Sequence, residues 1–389
     1  MGGMPKISKR AAATPASKIR AVFNKSLGHD DWAKFTVGEP DFDTVQPIIE
    51  GAYKAALEGN THYVHNAGIM PLRERLAKKF FEDNKLKVDP ETEVMITNGG
   101  TEAIYLALQA VIEPGDEVII PGPQWTAYPM LVTLSHGKSV VCKVFEEDNF
   151  MYTEENLRKS ITSNTRMIIL NSPCNPTGTM ADRATLEMIS EVAKEFDLWV
   201  LSDEVYEKLL YDGNEHISIA TLPGMKERTV VINSFSKTYA MTGWRVGYAT
   251  APASLMQIMV KLHELETSCC NVPAQFAAIA ALDGDQGVID DMLQQYERRR
   301  EMIISGLNVI PGISCRSPQG TFYAFANVKS LGLPVDELVD RLMDEVGLVV
   351  VPGTAFGDDG EGFLRFSFAV SDKTILDGLN RLETFVKKL

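Results

Sequence analysis

Signatures of several common cofactor and metal chemistries are missing from this chain. Its six histidines form no HExxH pair, and no cysteine or carboxylate cluster joins His62 and His65, so no metal site is indicated. A GxGxxG fingerprint is absent, which argues against a dinucleotide fold of the usual kind. No apolar run reaches the roughly 18 residues that a membrane helix requires. Near the N-terminus, Lys6, Lys9 and Arg10 are followed by AAATPAS, too short and polar for the core of a signal peptide. The five cysteines are odd in number and lack a repeated spacing; this is the usage of reduced thiols in a cytoplasmic protein, not of a disulfide framework. Basic side chains are in deficit, 38 against 52 acidic ones, for a net charge of −14. That balance argues against a broad nucleic-acid or membrane surface but leaves room for a small basic pocket.

What is present is ample material for a core. The 389 residues are 45% hydrophobic and 23% charged, enough for two to three domains at about 150 residues each. Between about residues 91 and 250, seven short runs read as strands: EVMIT, DEVIIP, SVVCKV, RMIILN, LWVLSD, TVVINS and RVGYAT. TEAIYLALQAVI, RATLEMISEVAKEF and similar amphipathic segments lie between several of them. Strands that are apolar on both faces fit a mostly parallel seven-stranded sheet covered by helices, an α/β domain over about 46–284. From 285 the pattern changes to a long charged helix, the strand TFYAFANV, a helix, two short strands and a final helix. This predicts a smaller α+β domain over 285–389. Residues 1–45 show no sheet of their own and are expected to form an arm packed on it.

In open parallel sheets, ligands bind beyond the carboxyl ends of the strands, so the residues following each strand are the candidates. After EVMIT comes NGGTEAIYLAL, which puts Gly100 and Thr101 at a helix N-terminus, where free N–H groups favour an anion. No GK[ST] follows these glycines. RMIILN is followed by SPCNPTG, where Pro173 and Pro176 restrict the backbone around Asn175; the segment is a plain turn or a fixed donor. Asp203 ends an apolar strand and requires a cationic partner unless it caps a helix; Tyr206 is three residues on. TVVINS leads to Lys237, set among Ser234, Ser236, Thr238 and Tyr239, with Arg245 opening the next strand. Such a lysine is a phosphate ligand or a nucleophile. One chemistry uses the whole set: pyridoxal phosphate, with an aldehyde for a lysine, a ring nitrogen for a carboxylate, a phenolate for donors, and a phosphate for hydroxyls and arginine.

The motifs carry a resemblance. SFSKTYAMTGWRVG at 234–247, with NPTG and SDEVY upstream, is similar to the signature of the fold-type I pyridoxal-phosphate enzymes, specifically class I aminotransferases of the aspartate aminotransferase superfamily. The likeness runs from GEPDF near 38 to LRFSFA near 364. It implies that Lys237 bonds the cofactor and shuttles a proton, that Asp203 pairs with the ring nitrogen, and that Tyr206 and Asn175 donate to the phenolate. By the same resemblance, Ser234, Ser236, Arg245, Gly100 and Thr101 match phosphate ligands, and Trp125 in PGPQWTAYP matches the aromatic stacked on the ring. Arg365 resembles the arginine that grips the substrate α-carboxylate, and Gly38 a backbone contact to the same group. Tyr63 resembles the tyrosine that reaches the neighbouring subunit's phosphate, which implies a homodimer. The implied reaction is ping-pong transamination between an amino acid and a 2-oxo acid.

Substrate choice is less marked, and aspartate, aromatic and alanine-type amino acids all stay open. Some aspartate aminotransferases of this kind carry a lysine directly after the paired glycines to hold a distal carboxylate; Thr101 stands there, and another basic residue would have to serve. Cys174 occupies a position that varies in the family and reads as tolerated variation, although a thiol near the cofactor would be open to oxidation. Two other readings share the resemblance. Carbon–sulfur lyases and aminocyclopropane-carboxylate synthases use the same constellation, and are told apart by whether a 2-oxo acid acceptor is needed. Transcription regulators on this fold place a winged-helix module before it, whereas about 40 residues precede GEPDF.

Overall fold

The computed structural model describes residues 6–14 and 16–389. Seven strands form one sheet in the order Val94–Thr97, Gly247–Thr250, Thr229–Ser234, Trp199–Asp203, Thr165–Asn171, Glu117–Gly122, Lys138–Lys143. Only Gly247–Thr250 runs antiparallel to its neighbours. Four strands, Val94–Thr97, Glu117–Gly122, Thr229–Ser234 and Gly247–Thr250, are buried at every position. Their apolar residues therefore come in runs, such as residues 118–120 and 230–232, instead of alternating with exposed polar ones. The helices Gly100–Val111 and Ala253–Thr267 supply apolar side chains to the core on one face. The helix Arg183–Glu195, capped by Asp182, supplies the other.

Arg245 departs from expectation. It does not open the strand RVGYAT but precedes it in the left-handed region, at φ 55°, and the strand begins at Gly247. The chain is crowded at this point: a Cβ at residue 247 would collide with the backbone of Gly99 and Gly100. The turn that brings these glycines together also turns the Arg245 side chain toward them.

The C-terminal part carries a second sheet, Val351–Pro352, Phe363–Ser367, Tyr323–Asn327, Ser314–Cys315, which is antiparallel throughout. It has more strands than the sequence pattern shows. Ser314–Cys315 is too short to display alternation. The apolar run LVVVP divides because it changes partner: Leu348–Val349 pairs in parallel with Ala33–Lys34, whereas Val351–Pro352 pairs with Leu364–Arg365. The N-terminal segment is therefore stitched to this part of the chain. Its helix Lys18–Lys25 adds ion pairs from Lys18 to Asp336, at 3.1 Å, and from Lys25 to Asp340, at 2.7 Å.

The loop after Asp203 is anchored by buried charge. Glu207 accepts from Lys79, Asn84 and Asn233, and Glu204 accepts from Ser202 and Ser218 while His216 Nε2 lies 2.9 Å from its other oxygen. Burial alone would push the Glu207 carboxyl up; the Lys79 ammonium, the His216 imidazole and the hydrogen bonds overcome it and hold the group at about 2. With its folded value depressed, Glu207 contributes stability that is present above the ordinary 4.5 and is lost as pH falls toward 2. Glu207→Ala would leave Lys79 buried without its closest counter-ion. It should cost about 3–5 kcal/mol, checked by urea unfolding at pH 7; a loss below about 1 kcal/mol would contradict this account.

Candidate active site

The carboxyl ends of the parallel strands open onto a cavity of about 540 Å³, in the size range of small-molecule sites. Of the residues that the resemblance assigns to cofactor or substrate, only Tyr63 lies outside its lining. Tyr63 is 86% exposed.

Each element delivers its side chain for a local reason. Asp203 is the last residue of its strand and is buried, its Oδ2 accepting from the Tyr128 hydroxyl at 2.6 Å and its Oδ1 from the Val205 N–H at 3.4 Å. It caps no helix, and no cation pairs with it among the described residues. Burial raises its carboxyl to about 6 against the opposing pull of Tyr128 and Val205. Lys237 sits in the four-residue turn of helix Phe235–Thr238, whose cap is the Ser234 hydroxyl accepting from the Ser236 N–H at 3.1 Å. Its ammonium donates to the Gly38 carbonyl. Burial, reinforced by Arg365 and Arg245 against Glu39 and Asp203, lowers it to about 8, so a free amine is accessible near neutral pH.

At one end of the cavity lies a cup for an anion. Gly99, at φ 85°, caps the twelve-residue helix Gly100–Val111, and a Cβ there would strike the Arg245 guanidinium. Arg245 itself donates to the carbonyls of Thr242 at 2.9 Å and Asn98 at 3.3 Å. Ser234 and Ser236, joined by their hydroxyls at 2.9 Å, complete the cup. Elsewhere on the wall, Arg365 projects from the strand Phe363–Ser367. It donates to Asn175 Oδ1 at 3.0 Å and to the Thr36 carbonyl at 2.9 Å, and lies 4.3 Å from the Tyr323 ring centroid. Its Nε, though buried, has no partner, which leaves donor capacity for a ligand carboxylate. Trp125 is half-buried on the cavity wall, edge-on to Tyr128 at 5.2 Å.

The donor set fits pyridoxal phosphate. A buried acid lacking a cation suits a ring nitrogen, an anion cup suits the phosphate, a lysine of lowered basicity suits the aldehyde, and an aromatic wall suits the ring. Several participants were not evident in the sequence. Tyr128 could have been suspected from its place one helical turn after Trp125. Asn171, whose Oδ1 accepts from the Asn175 N–H at 2.9 Å and whose Nδ2 donates to the Asp203 carbonyl at 3.0 Å, ends its strand as the other candidates do. Tyr323, at 3.1 Å from the Tyr206 hydroxyl, and the helix Lys18–Lys25 at the cavity carried no local signal. One other expectation changes. Cys174 is buried, and burial pushes its thiol up, so it is a poor target for oxidation.

The fold and this cavity together define a pyridoxal-phosphate enzyme of the α/β transferase kind, and comparison with known proteins narrows it. The family profile of aminotransferase class I and II matches residues 30–382. The chain is 39% identical to an aspartate aminotransferase of Pyrococcus abyssi over 98% of both chains. It is equally similar, at 39% over 98% of both, to aromatic-amino-acid aminotransferase 2 of Thermococcus litoralis. The solved aspartate aminotransferase of Thermus thermophilus with maleate superposes with a TM-score of 0.93 at 36% identity, covering 98% of this chain and all of that one. The chain belongs to the class I and II aminotransferases. It is a pyridoxal-phosphate-dependent transaminase that moves an amino group from an amino acid to a 2-oxo acid; the lyase reading does not stand.

The raised value of Asp203 has a measurable consequence. Below 3.8 its burial costs nothing in ionisation, the penalty grows between 3.8 and about 6, and above that it is complete. A rise of that size corresponds to roughly 3 kcal/mol. In the cofactor-free protein, Asp203→Asn should therefore raise the melting temperature at pH 8 and lose that advantage by pH 4, as read by calorimetry. Equal melting curves for the two proteins at pH 8 would show that the carboxylate is not penalised.

Proposed function

We propose that Lys237 is the residue that bonds the cofactor and moves the proton at the substrate Cα, acting opposite Asp203. The observation that carries this reading is the pairing, in one cavity, of a lysine of lowered basicity with a buried carboxylate that has no cation of its own. Bound pyridoxal phosphate supplies an electrophilic aldehyde and a ring that accepts electrons. Asp203 holds the ring nitrogen protonated, and Tyr128 fixes the carboxylate for that task. Arg245, Ser234, Ser236 and the first N–H groups at Gly100 and Thr101 hold the phosphate. Tyr206 and Asn175 donate to the phenolate oxygen, and Trp125 covers one ring face. Arg365, with the Gly38 backbone, fixes the α-carboxylate and so points the Cα–H bond toward Lys237, whose free amine takes the proton as a general base.

The same reading assigns residues 46–284 to a large cofactor-binding domain, 285–389 to a small one, and 1–45 to an arm on the latter. It takes the protein to be a cytoplasmic homodimer in which the partner's Tyr63 completes the phosphate site. Support comes from Tyr53 and Leu57, exposed one turn apart on the helix Gln46–Leu57 and six to ten residues before the exposed Tyr63, an apolar concentration expected of a covered surface. Five free cysteines and the lack of any described helix able to cross a membrane agree with that setting.

Lys237→Ala should abolish the cofactor's protein-bonded absorbance and lower transamination by more than about a hundredfold; retained turnover would refute the assignment. In the cofactor-free wild type, cofactor bonding requires the free amine. Its rate should rise about tenfold per pH unit below 8 and level off above it, followed by absorbance after mixing. A flat profile between pH 6 and 8 would count against a lowered value for Lys237.

A further inference from the structure

Four cationic side chains line the cavity: Arg20, Lys237, Arg245 and Arg365. Three are engaged by the protein, at the Gly38 carbonyl, at Thr242 and Asn98, and at Asn175 and Thr36. Arg20 is not. Among the described residues its guanidinium takes part in no hydrogen bond or ion pair, and its Cζ stands 5.6 Å from the Phe23 ring centroid one turn further along the helix Lys18–Lys25. The other two basic residues of that helix, Lys18 and Lys25, both find acids on the helix Val335–Val346. Only the one at the cavity is left without a counter-ion.

The charges of the site sharpen the point. Its lining carboxylates are Asp203, held by Tyr128, and Glu39, which accepts from the Thr242 hydroxyl at 3.0 Å. With Arg245 given to the phosphate, Arg365 to the α-carboxylate and Lys237 to the chemistry, one cation remains for which the cofactor and an ordinary amino acid supply no anion. Beside the anion cup Thr101 is uncharged, and the lining holds no cation besides these four. Around Arg20, Ile19 and Phe23 are apolar; an uncharged substrate side chain meets these and leaves the guanidinium in water.

We propose that Arg20 is a specificity-determining residue that pairs with the side-chain carboxylate of a dicarboxylic substrate, aspartate or glutamate and their 2-oxo acids. The proposal rests on the transaminase reading above and names its substrate class. A planar guanidinium is suited to a carboxylate, which it binds through two parallel hydrogen bonds. The pair forms at the exposed rim, so its strength is at the lower end of such contacts, about ten- to thirtyfold in affinity.

The test uses the holoenzyme and Arg20→Gln, with single-turnover half-reactions for aspartate, glutamate, alanine and phenylalanine. The expected result is a fall of about tenfold or more in the ratio of kcat/KM for aspartate to that for alanine, arising in KM with kcat little changed, and partial recovery in Arg20→Lys. Binding of succinate and propionate, which do not react, is measured in parallel by calorimetry. Succinate should weaken about tenfold in the variant and propionate should not. Equal losses for all four amino acids would assign Arg20 a merely structural role and overturn the proposal, as would unchanged succinate affinity. If the wild type turned over none of them, the transaminase reading would fall, and the succinate-to-propionate ratio would still decide Arg20.

Discussion

A carboxylate without a counter-ion in the interior is the constraint on which this structure turns. Asp203 closes a strand buried in the middle of the sheet, and its ionisation is opposed by the apolar strands on both sides. Such a group is tolerated because the surrounding elements hold it rigidly. Tyr128 binds one oxygen, Asn171 ties the backbone carbonyl, and the Lys79–Glu207 and His216–Glu204 pairs fix the loop that follows. Folding alone does not satisfy it; in the role proposed for Asp203, a protonated ring nitrogen would. In that role, the free energy withheld in the cofactor-free fold would be recovered on binding the cofactor, and the fold itself would drive cofactor affinity.

The same logic explains the position of the basic groups. Lys237, Arg245 and Arg365 reach the cavity from three elements, and each is held by backbone carbonyls or an amide rather than by a carboxylate. An arginine paired with a protein carboxylate would have to release it before accepting a ligand's. Carbonyl partners orient a guanidinium while leaving its charge uncompensated, so the site stays hungry for anions although the chain as a whole is acidic.

Much of this was legible in the sequence because the parallel sheet places chemistry at strand ends. Runs such as LWVLSD and TVVINS declare both an element and the residue that emerges from it. What escaped was whatever depends on a meeting of distant segments. Tyr323 reaches Tyr206 across 117 positions, and Arg20 reaches the cavity from a helix that looks like any amphipathic surface helix. Local pattern also misjudged Arg245, which adopts a left-handed turn where the chain passes so close to Gly99 and Gly100, far away in sequence, that residue 247 has no room for a Cβ.

The helix Lys18–Lys25 divides labour in a way that bears on how such an enzyme changes over time. Asp203 and Arg365 are rooted in buried strands, and Lys237 follows directly on another, so replacement there disturbs the core. What meets the variable end of a substrate sits on two turns of peripheral helix, fastened by a pair of exposed salt links and a short stitch of backbone. Substitutions there cost little folding energy, so preference can wander across generations while the reaction stays put.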